Sequence, residues 1–207
     1  MNNIYKFIYV ILFLIYGCKS SNLDGGRITQ RINSLNMNIY SNKGELIYSI
    51  NSPKSYYDKV NHVFNLDKTT ILLYKNKIQQ YIINSESSKL SNNNKLLELN
   101  GNVEFRKTLE DKDVLYADNF IWNIDEKTYL LTGNVKFENK SIMLSSDKAS
   151  IDQNNVVEFF NPVKYIIKNN DNKNIYEVNS ENAYYDINTK SVSFNSRDKR
   201  VRSKIFF

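Results

Sequence analysis

Few side chains in this sequence can make or break bonds. One His and one Cys stand among 207 residues. That is too few for a structural zinc site, which closes around four ligands, and too few for most sets of nucleophile, base and orienting group. His62 has no His or Cys companion and reads as an exposed or structural residue. Asp58, Asp152 and Asp186 are candidates for paired acid and base work, but they recur at one position of an internal repeat. That recurrence explains them as turn formers, because a short carboxylate accepts hydrogen bonds from nearby backbone N–H groups. Asp24-Gly25-Gly26 lacks the spacing and preceding strand of a phosphate-binding loop. The chain therefore reads as a non-enzyme without metal or cofactor. What remains is one thiol that can be acylated and a large stock of apolar side chains.

The thiol, Cys18, closes a targeting segment. Met1 to Lys6 carries one positive side chain, and Phe7 to Tyr16 (FIYVILFLIY) is an uninterrupted apolar run of signal-peptide length. Bounded by Lys6 and Lys19, it falls short of the roughly 20 apolar residues that span a bilayer. Ile15-Tyr16-Gly17-Cys18 resembles the lipobox of bacterial lipoproteins, with Gly17 before the cleavage point and Cys18 as the lipidated thiol, although Tyr16 is bulkier than that motif usually holds. An uncleaved anchor and a signal cut elsewhere are the other readings, and all three export the remainder. The chain thus divides into an export segment (1–17), a polar tether (18–36) and one domain (37–207).

Extended elements must position everything in that domain. A pattern recurs with anchors at Ser52, Ser85, Ala117, Ser146 and Ser180, spaced 29 to 34 residues apart. Five residues after each anchor stand Tyr57, Leu90, Trp122, Ile151 and Tyr185, and the next position holds Asp58, Ser91, Asn123, Asp152 and Asp186, all suited to turns. Twelve and fourteen residues after come Phe64/Leu66, Leu97/Leu99, Tyr129/Leu131, Glu158/Phe160 and Val192/Phe194. This period-two alternation puts apolar side chains on one strand face, with Glu158 the exception. Gly101, Gly133 and Pro162 mark breaks before further alternating runs. A unit this small cannot bury its own apolar face, so successive units must stack. The expected fold is all-β, an open antiparallel roll, solenoid-like, of about five repeated strand pairs. Its 15 Tyr and 11 Phe supply a core that a disordered chain lacks.

Charge narrows the partners less. The 28 Lys plus Arg exceed 22 Asp plus Glu, for a net +6, which suits an acidic partner without naming it. The run Arg197-Asp-Lys-Arg-Val-Arg-Ser-Lys204 could touch phosphates or form a solvated tail ending in an edge strand at Ile205-Phe206-Phe207, and the export signal argues against nucleic acid.

The stretch Met37-Asn-Ile-Tyr-Ser-Asn-Lys-Gly-Glu-Leu-Ile-Tyr-Ser-Ile-Asn-Ser-Pro-Lys-Ser-Tyr-Tyr-Asp58, followed by Gly-Asn-Val-x-Phe at Gly101 and again at Gly133, resembles the LptC family of lipopolysaccharide export proteins. More broadly it is similar to the OstA-type β-jellyroll repeat. The resemblance spans roughly Met37 to Ser196 and rests on the order of features, since no single motif is specific. It implies a β-jellyroll at the periplasmic face of the inner membrane, held by the N-terminal segment or lipidated Cys18. Such a protein accepts lipopolysaccharide or a related glycolipid from an inner-membrane ABC transporter and passes it to a periplasmic OstA-like bridge protein. The usual full transmembrane helix is replaced here by the lipobox-like segment.

The residues themselves suit that work. An open roll lined by aromatic and aliphatic side chains shields acyl chains, each exposed CH₂ costing about 0.8 kcal/mol in water, and open edge strands offer pairing groups to a partner of like fold. The expected lipid-lining residues are Phe64, Leu66, Leu97, Leu99, Phe105, Trp122, Tyr129, Leu131, Phe137, Phe160 and Phe194, with packed core as the competing role for each. Trp122 stands out, since a large amphipathic ring suits the boundary of lipid and water. Two other functions compete: a lipoprotein carrier or outer-membrane assembly lipoprotein binding another lipid, and a dry-cored structural solenoid.

Overall fold

The period-two runs are too long for one flat strand and each bends. The computed structural model describes residues 29–91, 93–108, 113–160, 162–169, 171, 173–196 and 200–206. The export segment with Cys18 and the tether up to residue 28 lie outside the described residues. Eight long strands come first: β1 (Thr29–Tyr40), β2 (Leu46–Asp58), β3 (Val63–Lys75), β4 (Ile78–Ser91), β5 (Leu96–Lys107), β6 (Val114–Asn123), β7 (Thr128–Glu138) and β8 (Ile142–Ile151). Each pairs antiparallel with the next. The sheet starts at Thr29, eight residues before Met37, so part of the expected tether is strand.

Past β8 each bent strand separates into two short ones. These are β9 (Val156–Phe160) and β10 (Val163–Lys168), β11 (Asn174–Ser180) and β12 (Asn182–Asp186), and β13 (Ser191–Asn195) and β14 (Arg202–Ile205). One half of β8, from Lys148 to Ile151, pairs with β9; the other, from Ile142 to Ser145, pairs with β10. β9 then leads to β12 and β13, while β10 leads to β11 and β14. The result is an open antiparallel β-jellyroll of two half-sheets joined along a line of bends, with no helix among the described residues. Their inner faces meet: Tyr48 packs on Trp122 with ring centroids 4.9 Å apart, Phe137 on Tyr185 at 4.4 Å, and Tyr165 on Phe194 at 5.3 Å.

The repeat anchors are the bends. Ser52, Ser85, Ala117 and Ser146 are buried, and so are Ser55, Ser88, Phe120 and Ala149 three residues later. A step of three in place of two, with a register shift in the ladder at the bends of β4, β6 and β7–β8, keeps the apolar side inward on both half-sheets. Small residues fit the inside of the corner, and their hydroxyls replace ladder hydrogen bonds. Ser52 Oγ donates to Lys54 O at 2.7 Å, Ser146 Oγ to Lys148 O at 2.8 Å and Ser180 Oγ to Asn182 O at 3.0 Å.

The intervening strands bend differently. Gly101 and Gly133, expected as breaks between strands, lie inside β5 and β7 at φ +76° and +75°, each followed by Asn at positive φ. Only Gly takes that conformation without strain. Each also lies under an acidic side chain of the preceding strand: Asn102 Nδ2 donates to Glu86 Oε1 at 2.5 Å, and Asn134 Nδ2 to Asp118 Oδ2 at 2.7 Å.

The turn residues do what their chemistry favours. Asp58, Asp152 and Asp186 each accept two backbone N–H groups of their own turn through Oδ1. The β8–β9 turn is shorter by one residue, Asp152 N bonding Val156 O where the other repeats pair residues five apart. That shortening explains Glu158: in β9 the inward residues are Val157 and Phe159, both buried, and Phe160 faces out with Lys148 Nζ 5.5 Å from its ring. At the chain end, the expected edge strand is β14, which pairs with β11 and stops at Ile205.

Candidate functional site

Because the long strands bend at their middles and the later ones separate there, the hairpin turns form two lips that face each other across the mouth of the roll. One lip holds the turns that follow β1, β3, β5 and β7; the other holds those that follow β2, β4, β6, β8 and β12. Between them lies a cleft of about 580 Å³. Ile47, Leu73, Tyr74, Lys75, Gln80, Tyr81 and Lys107 come from the first lip; Trp122, Lys127, Tyr129, Asn155, Ile187, Asn188 and Lys190 come from the second. Trp122 and Tyr129 stack at 5.6 Å, and Tyr48 backs Trp122. A tight cavity of about 30 Å³ continues inward, lined by Tyr81, Phe105, Lys107, Asp113, Leu115, Phe137, Val157, Tyr185 and Ile187.

The electrostatics are those of a wet rim over an aromatic floor. Burial, with Tyr81 as a second cause, pushes the Tyr129 phenol above its usual pKa, and burial followed by Asp125 does the same for Tyr48. Both therefore remain neutral hydroxyls at physiological pH. Trp122 is 4% exposed, and its indole N–H has no acceptor among the described residues. Four lysines, Lys75, Lys107, Lys127 and Lys190, rim the cleft. Lys190 Nζ lies 3.8 Å from Asp113 Oδ2, one lip reaching the other. Acids one residue after the anchors, Glu86, Asp118, Asp147 and Glu181, lie instead at the line of bends. Among the described residues, no group of three or more His, Cys, Asp or Glu could hold a metal ion.

The expected lining residues separate into distinct environments. Trp122 and Tyr129 line the cleft, and Phe105 and Phe137 line the cavity below it. Leu66, Leu97, Leu99 and Leu131 are sealed in the core, about 3% exposed or less. Phe64 and Phe194 are partly buried, Phe64 against Tyr57 at 4.5 Å. Phe160 is on the outer face. His62 Nδ1 meets Tyr57 Oη at 3.0 Å on the surface. Sequence reasoning missed Tyr48, Tyr81, Ile187 and the lysines. A signal was present for two of the lysines: ten residues after an anchor stand Lys95, Lys127 and Lys190, all in turns of the second lip.

An unclosed roll with an apolar interior and an aromatic cleft along its mouth defines an open β-jellyroll rather than a sealed barrel or sandwich. The family model for lipopolysaccharide-assembly, LptC-related proteins matches residues 19–150, and the chain belongs to this LptC family. That family is one of lipopolysaccharide assembly. Among solved structures it is similar to the crystal structure of LptH, the LptA-homologous periplasmic component of the lipopolysaccharide transport device from Pseudomonas aeruginosa. The identity is 11%, the TM-score 0.34, and the match covers 77% of this chain and 94% of that one. No curated protein sequence matches the chain.

Proposed function

We propose that this protein accepts lipopolysaccharide from an inner-membrane ABC transporter and relays it to a periplasmic OstA-like bridge protein, the acyl chains passing through the mouth between Tyr81 and the Trp122–Tyr129 pair. The observation that carries this reading is the cleft: it is large, floored by aromatic rings and open to water. A dry solenoid has no reason to leave the half-buried Tyr81 and Tyr129 rings at an open rim. In this reading Trp122, Tyr129, Phe105 and Phe137, of the expected lining residues, meet lipid, while the sealed leucines support the wall behind them. Anchoring through the N-terminal segment or a lipidated Cys18 would hold the roll against the inner membrane. The outer edge of β1 and the edges of β13 and β14 carry no further strand among the described residues, which suits strand addition by partners of like fold. In this proposal β1 faces the transporter and the last strands face the bridge.

In-cell photo-crosslinking tests it. A photoreactive phenylalanine analogue at Tyr81, Trp122 or Tyr129 should form lipopolysaccharide adducts that depend on ATP hydrolysis by the transporter, and the same probe at Phe160 should not. Folded, expressed protein without adducts at the three cleft positions would move the assignment to a dry-cored solenoid. Probes along β1 and β14 should capture transporter and bridge respectively; reversed captures would sink the polarity.

A further inference from the structure

The lysines of the mouth have a use that the apolar cleft alone does not explain. An acyl-chain conduit needs only rings and aliphatic side chains, yet this cleft is rimmed by Lys75, Lys107, Lys127 and Lys190, drawn from both lips. Among the described residues no carboxylate pairs with Lys75 or Lys127, although Asp125, in the same turn as Lys127, pairs with Lys95 at 2.7 Å. At the constriction between the open cleft and the small inner cavity, Lys190 reaches across to Asp113, which is largely buried. Side chains carrying a net positive charge thus converge from two directions on the place where a cargo's polar head would stop once its tails entered.

We propose that Lys75, Lys107, Lys127 and Lys190 form a phosphate-binding rim that holds the phosphorylated head of the glycolipid, with Asp113 occupying Lys190 when no cargo is present. The inference rests on the conduit reading above and names the part of the cargo that the rim recognises. Ammonium groups bind phosphate as point charges through charge-assisted hydrogen bonds, and the aromatic floor excludes water from one side. An incoming phosphate competes with the Asp113 carboxylate for Lys190, which releases an ion pair that joins the two lips. Binding of the head and widening of the constriction are then one event.

The test uses the full-length chain and three probes: fluorescent lipopolysaccharide, the same lipid enzymatically dephosphorylated, and inorganic phosphate as competitor. Replacing Lys107, Lys127 and Lys190 together by Gln should weaken binding of the phosphorylated lipid by about tenfold or more and leave the dephosphorylated lipid unchanged. Lys89→Gln with Lys148→Gln and Lys164→Gln removes equal charge from the outer faces and should change neither. Asp113→Asn should tighten binding of the phosphorylated lipid alone. Equal weakening of both lipids in the lip variant, or equal effects of the lip and outer-face variants, would overturn the phosphate rim while leaving the conduit standing. If the unaltered protein binds neither lipid, the conduit reading fails and the rim with it. Inorganic phosphate displacing the lipid at comparable concentration would overturn the lipid head as the source of the phosphate.

Discussion

Gly133→Ala isolates what the bend in β7 demands. The residue sits at φ +75°, where an L side chain costs about 1–2 kcal/mol. A Cβ there would lie 2.9 Å from the Asp118 Cβ, so the Asp118 side chain must move. It accepts a hydrogen bond from Asn134 Nδ2 at 2.7 Å, whose loss costs roughly 1 kcal/mol. Together the two effects give about 2–3 kcal/mol, which for a chain of this size lowers Tm by roughly 4–12 °C. Gly44 provides an internal control: its φ is +77° and nothing lies within 4 Å of where its Cβ would be. Gly44→Ala therefore carries the conformational cost alone, about 1–2 kcal/mol. Urea unfolding of the full-length variants should show Gly133→Ala shifting the midpoint further than Gly44→Ala, with Gly101→Ala behaving like Gly133→Ala because Glu86 sits over it in the same way. Equal shifts at positions 133 and 44 would refute the claim that the acidic side chain over the bend closes the space.

Other substitutions probe the register, the floor and the acid limb. Phe159→Ala should cost about 3–5 kcal/mol as a buried aromatic, whereas Phe160→Ala should cost under about 1 kcal/mol, the worth of an exposed cation–π contact; thermal melts showing the reverse order would return β9 to the register expected from the repeat. Trp122→Ala should destabilise by about 3–5 kcal/mol through its packing on Tyr48 and Tyr129, so lipid readouts there are best made with Trp122→Phe, which keeps an aromatic ring in place of the indole and should retain more of the stability by calorimetry. Hydrogen bonds from Lys136 and then Lys168 hold the Glu138 carboxyl below its usual pKa, so Glu138 contributes stability above the unfolded carboxyl's value that is lost as pH falls through the lower folded value. Glu138→Gln should flatten that part of the acid limb in a pH series of urea midpoints while costing at most about 1 kcal/mol at neutral pH.

The repeat makes most of the roll legible in the sequence. Period-two alternation is a local property, so Leu97, Leu99, Leu131 and Trp122 could be assigned inward from their spacing alone. Asp58, Asp152 and Asp186 could be assigned to turns because their hydrogen bonds close within a few residues. Strand geometry, however, depends on turn length: one residue fewer between β8 and β9 moved every side chain of β9 to the other face and put Phe160 outside. Gly101 and Gly133 looked like strand ends because a positive-φ glycine has the same local signature at a break and at a bend; only the ladders on both sides distinguish them.

By itself, then, the sequence determined an all-β stacked repeat with its turns, its apolar face and its family resemblance, because each of these is written in contacts between residues near one another or in the period of the chain. The tertiary structure decided which apolar residues are sealed and which line the mouth, since Tyr81 and Trp122 come from opposite lips and belong to different repeats. It also decided that Lys75, Lys107, Lys127 and Lys190 share one rim and that Asp113 meets Lys190. Those neighbours are joined by the folding of two half-sheets toward each other, and no spacing along the chain encodes how far that fold closes.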